Sequence, residues 1–124
     1  MKSNISPSLE DYLEAIYMID SENSGVRLTD VANNLKVSKP SVNKAMVILK
    51  EKNLIIHEKY GEIRLTEEGL KIAIHVISKH RSILKFLTKI LKVDKETAEI
   101  EACKIEHVIS DDTAEKMIKF INEN

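Results

Sequence analysis

A stripe of residues at helical spacing, Ala73, Ile77, His80, Leu84, Leu87 and Leu91, runs through the middle of the sequence without a proline. The signature Thr66-Glu67-Glu68-Gly69 stands before it as a cap, so the pattern predicts one helix of about 25 residues ending near Lys92. A helix that long serves as a connector between two lobes. A chain of 124 residues can bury one modest core, or two small ones that share such a helix. With only three glycines and two prolines in the whole chain, the expected fold is mainly α.

Towards the N-terminus, Ser8 is the expected cap of a first helix, with Glu10 and Asp11 in its first turn and Leu9, Leu13, Ile16 and Ile19 as its apolar stripe, running to about Asp20. Asp11 and Glu14 project from the opposite side. Ser24-Gly25 breaks the chain, and Thr29 is expected to cap a short helix carrying Val31, Ala32 and Leu35. After the tight turn Lys36-Val37-Ser38, Lys39-Pro40-Ser41 opens a longer helix, with Val42, Met46 and Leu49 facing inward. Two helices about a short turn form a helix-turn-helix. The β-prone segments on either side of Gly61, within Leu54–Leu65, add a small β-hairpin wing. The expected architecture is therefore an N-terminal winged helix-turn-helix over residues 1–70 and an all-helical part over residues 71–124. In that second part, Asp94 starts a helix reaching Ile109, and Asp111 or Asp112 caps a last one carrying Met117, Ile118 and Ile121.

The net charge of −1 is unevenly spread. Residues 1–25 carry one basic and five acidic side chains, residues 26–65 eight and four, and residues 66–124 ten and eleven. The basic excess coincides with the helix-turn-helix, where a phosphate-contacting surface belongs. Ser41, Asn43 and Lys44, with Ser38, Lys39 and Pro40 at the helix edge, are the candidates for the major groove. Lys59 and Arg64 on the wing are candidate phosphate contacts. No apolar run reaches the ~20 residues that span a bilayer. One cysteine excludes an internal disulfide framework, and with no signal peptide the expected location is the reducing cytoplasm.

Cys103-x-x-Glu106-His107 carries a different chemistry. At about 100° per residue, Cys103, Glu106, His107 and Glu99 fall on one side of a helix, beside an apolar stripe of Ala98, Ala102, Ile105 and Ile109. Thiolate, carboxylate and imidazole are together a divalent-metal donor set, to which Asp11, Glu14 and His80 offer further ligands. Taken singly, each has an ordinary reading: a small buried cysteine, a core histidine, a solvated acidic face. Their number and spacing favour the metal. Without a cation, Asp11, Glu14 and Glu106 would repel one another when brought together, which is the physical form of a metal-operated switch. Enzyme signatures are missing: there is no His-Glu-x-x-His, no Gly-rich phosphate loop, no nucleophile with a base and orienter, and no paired Glu-x-x-His.

Ser8–Tyr17, the helix-turn-helix, Lys79-His80-Arg81 and Glu101–Asp111 together resemble the diphtheria-toxin-repressor and manganese-transport-regulator family, over essentially the whole chain. The resemblance implies a homodimeric repressor that binds a palindromic operator in double-stranded DNA, with Mn²⁺ or Fe²⁺ as corepressor and a helical domain for dimerisation and metal binding. It implies Asp11, Glu14, His80, Cys103, Glu106 and His107 as metal ligands. Asp11 and Glu14 match the manganese branch, whereas Cys103 matches the iron branch, which has methionine in place of Asp11. Leu84 and Glu99 replace a glutamate and a histidine of the iron branch's ancillary site, and the iron branch's third, SH3-like domain is absent from the expected plan. The alternatives are a metal-independent winged-helix regulator and a metal-buffering or interaction module without DNA binding.

Overall fold

In the computed structural model, residues 5–23, 25–58 and 61–123 are described. The chain divides into two compact units, one over Ile5–Ile74 and the other from His75 onward. Among the described residues no helix is long and apolar enough to cross a membrane.

The first unit is a winged helix-turn-helix. It comprises α1 (Pro7–Asn23), α2 (Leu28–Leu35), α3 (Lys39–Glu51), β1 (Ile55–His57), β2 (Ile63–Leu65) and the first turns of α4 (Glu67–Lys85). The expected inward residues Leu13, Ile16, Val31, Val42, Met46 and Leu49 are all buried, in one cluster with Val26, Ile55, Ile63 and Ala73. Helix α1 starts earlier than Ser8: Ser6 caps it, its Oγ accepting from Leu9 N at 3.2 Å, and Pro7 takes the first position, where its missing N–H costs nothing. Helix α1 also continues past Asp20 to Asn23. Thr29 lies inside α2 rather than capping it; Arg27 stands at the cap and donates its backbone N–H to Asp30 Oδ2 at 2.9 Å. Lys36, at φ 56°, closes that helix. Ser38 then caps α3, its Oγ accepting from Ser41 N at 3.2 Å.

The wing strands are antiparallel with Ile55 opposite Leu65, Ile56 opposite Arg64 and His57 opposite Ile63. At three residues each they are shorter than the β-prone run. Ile63 N also donates to Val26 O at 2.8 Å, which ties the wing to the connection before α2. Thr66 caps α4 as expected. Its Oγ1 accepts from Gly69 N at 3.1 Å and donates to Asn53 O at 2.8 Å, while its own N–H reaches Leu54 O at 3.1 Å. This brings the first turn of α4 against the backbone at Leu54. A Cβ on Gly69 would lie 2.0 Å from that carbonyl oxygen.

The second unit packs Ile83 and Leu87 against Ala98 and Ala102, with Leu84, Val93, Ile105, Ile109 and Met117 around them. The predicted long helix continues to Ile90, but it keeps the α form only as far as Lys85. Beyond Lys85 the chain makes one turn of π-helix, Phe86–Ile90, closed by Leu91 N donating to Phe86 O at 3.3 Å. The wider turn shifts the phase of the stripe, and Leu91, its last member, emerges 57% exposed. Asp94 caps α5 (Lys95–Ile105), accepting from Thr97 N at 3.0 Å. That helix ends four residues before Ile109. Glu106 N still bonds to Ala102 O at 3.0 Å, but Val108 N turns back to Ile105 O. Ser110, rather than either aspartate, caps α6 (Asp111–Glu123), its Oγ accepting from Thr113 N at 3.1 Å. Asp111 and Asp112 occupy the first turn of α6, where the helix dipole favours them.

Candidate metal centre and DNA-facing surface

Helix α4 carries His80 and α5 carries Glu99 and Cys103, with Glu106 following at the end of α5. The alanine stripe of α5 is fully buried, so the neighbouring side chains of that helix reach the imidazole. His80 Nδ1 lies 3.0 Å from Glu106 Oε1, and His80 Nε2 lies 3.1 Å from Glu99 Oε2. A ligand atom each from His80, Cys103 and Glu106 falls within 4.8 Å of the other two. The Glu106 side chain has no exposed surface, and that of His80 is 13% exposed.

The hydrogen bond to Glu106 pushes the His80 imidazole up to about 9; burial opposes this, while the charges of Glu106 and Glu99 and the bond to Glu99 reinforce it. In this state the ring is an imidazolium at neutral pH. Glu106 Oε2 is buried and has no hydrogen-bond partner. A buried carboxylate oxygen in that condition is costly unless a cation meets it. With the Cys103 sulfur and the His80 imidazole converging beside it, the donor set fits a divalent metal.

A pH dependence of two opposite signs follows. The attraction between protonated His80 and its carboxylates stabilises the metal-free fold fully below pH 6.5 and is lost as pH rises through about 9. Metal ligation requires the neutral ring, so metal affinity is expected to rise about tenfold per pH unit towards that value from this one proton. Calorimetric titration of Mn²⁺ in buffers of differing ionisation enthalpy measures the protons released. Binding at pH 7 that released none from His80 would contradict this.

His107 is half-buried in the turn after α5 and is not among the three residues that converge. Asp11 and Glu14 stand three apart on α1, half-buried, in the unit Ile5–Ile74. A further polar cluster went unnoticed in the sequence: His75 Nε2 lies 2.7 Å from Asp111 Oδ1, and Lys79 Nζ donates to Ile109 O at 2.7 Å. Its one sequence signal is the i, i+4 spacing of His75 and Lys79 on α4.

On the DNA side, Ser38, Lys39, Pro40, Ser41, Asn43 and Lys44 are all exposed, at the cap and along the first turns of α3. Val42, Ala45, Met46 and Leu49 fix the opposite side of the helix in the core. Arg64 is exposed on β2 across from Ile56. Lys59 lies outside the described residues.

Two family models match in tandem. Residues 4–63 match the N-terminal DNA-binding domain of the iron-dependent repressors, and residues 66–124 match the metal-binding and dimerisation domain of the same proteins. The chain belongs to the iron-dependent repressor family. Among its relatives is an uncharacterised HTH-type transcriptional regulator of Methanocaldococcus jannaschii, 36% identical over 120 residues, or 96% of each chain. The HTH-type transcriptional regulator MntR of Bacillus subtilis is 37% identical over 105 residues, covering 85% of this chain and 73% of that one. The fold is also that of the manganese regulator SloR (TM-score 0.83, 30% identity, covering 97% of this chain and 56% of that one) and of the metal-dependent regulator MtsR (0.86, 27%, 95% and 55%). The chain thus spans about half the length of these two solved structures. The match to the DNA-binding domain ends at Ile63, the first residue of β2, and the second begins at Thr66, the cap of α4.

Proposed function

We propose that this member of the iron-dependent repressor family is a metal-activated transcriptional repressor of metal-uptake genes, a homodimer that binds palindromic operator DNA with Mn²⁺ or Fe²⁺ as corepressor. Residues 1–70 read DNA, and residues 71–124 dimerise and bind metal. The observation that carries the reading is the partnerless, buried Glu106 Oε2 beside His80 and Cys103. Asp11, Glu14 and His107 are the further ligands implied by the resemblance. A bound divalent cation supplies the positive charge that lets such carboxylates share one site. The residues that would hold it are His80, whose imidazole ligates once its proton is released, Cys103 through its sulfur and Glu106 through its buried carboxylate.

The test is operator affinity as a function of added Mn²⁺ or Fe²⁺ under anaerobic conditions, with and without chelator. Binding that ignores the chelator returns the chain to a metal-independent regulator, and no operator binding under any condition returns it to an interaction module. Cys103→Glu is expected to move the preference from Fe²⁺ towards Mn²⁺, because a hard oxygen replaces a soft sulfur; the ratio of activation constants for the two ions reads it. The cysteine is exposed, so its replacement leaves the core intact.

In the DNA-facing surface, Asn43 is expected to read a base edge and Arg64 a phosphate. Asn43→Ala should weaken operator binding more than binding to random DNA, whereas Arg64→Ala should weaken both and lower the salt slope by about one unit. Half-sites spaced by about one helical turn, ~10 bp, or a multiple, are expected from the two-fold arrangement. Footprinting of a lone asymmetric half-site would contradict it.

A further inference from the structure

The ring of His80 is held at both nitrogens, by two carboxylates of different kinds. At Nδ1 stands Glu106, wholly buried and one of the three residues that converge. At Nε2 stands Glu99, whose side chain is 46% exposed and which is not one of the three. Glu99, Cys103 and Glu106 follow one another at i, i+4 and i+7, so one row of side chains passes along the ring from its far edge to its near edge. A neutral imidazole has a single N–H, and the acceptor facing each nitrogen decides which one carries it. Once the oxygens of Glu106 are engaged by a cation, Glu99 is the acceptor that remains for the ring proton.

We infer that Glu99 is a positioning residue for His80: its carboxylate accepts the Nε2–H, fixes the ring and leaves Nδ1 as the nitrogen presented to the metal. The inference rests on the proposed metal site and deepens it. A carboxylate behind a ligating histidine raises the basicity of the ligating nitrogen and limits the ring's rotation. The half-exposed position of Glu99 agrees with such a role, because an oxygen that only accepts a hydrogen bond can remain hydrated on its other side. The Glu106 side chain has no such contact with solvent.

The experiment uses the full chain, labelled with ¹⁵N and titrated with Cd²⁺, with the ring nitrogens of His80 read by long-range ¹H–¹⁵N correlation. Cd²⁺ is expected on Nδ1 and the proton on Nε2. Glu99→Ala is expected to weaken Cd²⁺ binding by about 10- to 100-fold and to loosen the tautomer preference, with circular dichroism confirming the fold. Glu99→Gln, whose amide oxygen still accepts from Nε2–H, is expected to recover most of the loss. Cd²⁺ on Nε2, or unchanged affinity and tautomer in Glu99→Ala, would overturn the role. So would a Gln variant that recovers nothing, or a lost equivalent of bound Cd²⁺, either of which would make Glu99 a ligand itself. If Cd²⁺ left the His80 signals of the unaltered protein unmoved, the metal site would fall and this role with it.

Discussion

Replacement of Glu106 by alanine is expected to abolish the stimulation of operator binding by metal while leaving a folded protein. The substitution removes both the carboxylate that holds His80 Nδ1 and the buried oxygen that has no partner. A corepressor that moves the DNA-competent population from about 1% to about 99% must favour that state roughly 10⁴-fold, or about 5.5 kcal/mol. In the proposed centre, Glu106 is the most deeply buried of the three converging residues, so its loss is expected to remove most of that difference. Operator affinity should then be the same with Mn²⁺, with Fe²⁺ and with chelator. Glu106→Gln, which keeps the shape and removes the charge, should fail in the same way, and Asp11→Ala is expected to follow. A Glu106→Ala protein that still gained a hundredfold in affinity from either ion would refute the proposed centre.

The second large effect concerns stability. Gly69→Ala places a methyl group 2.0 Å from Leu54 O and 3.0 Å from its carbonyl carbon. Both sides of this contact are backbone, so no rotamer change relieves it. The carbonyl is further fixed by the N–H of Thr66. Either the first turn of α4 lifts away from the α3–β1 junction or the Thr66 cap opens. The expected loss is about 3 kcal/mol or more, roughly 10 °C in Tm for a chain of this size. Urea denaturation with an unchanged slope and a lower midpoint would report it; a Tm within a degree of the parent would show that the helix start is not held there.

The sequence was most legible where the signal is local. Ser38 and Pro40 mark the start of α3 by their own chemistry, and the inward residues of α1 to α3 follow from period alone. Where two local signals compete, sequence cannot choose: Ser6 and Ser8 both flank Pro7, and the cap goes to the one that leaves proline in the first turn. The π turn was hidden because nothing in Phe86–Ile90 excludes another α turn. The end of α5 at Ile105 was hidden likewise, since no glycine or proline stands between it and Ser110. The helical wheel placed Glu99, Cys103 and Glu106 on one side of α5, whereas His107 falls in the turn beyond the helix and is not among the three residues that converge. It could not say that His80 would meet Glu106 and Glu99 across two helices, because that depends on how closely Ala98 and Ala102 let α5 approach α4.

Helix α5 keeps its two duties on separate residues, with Ala98 and Ala102 in the packed stripe and the exposed Cys103 beside it. A mutation at position 103 therefore meets little resistance from the core, whereas a larger side chain at 98 or 102 would force the helices apart. Over evolutionary time, such a scaffold can exchange one ion for another through single substitutions, each arising in a protein that still folds.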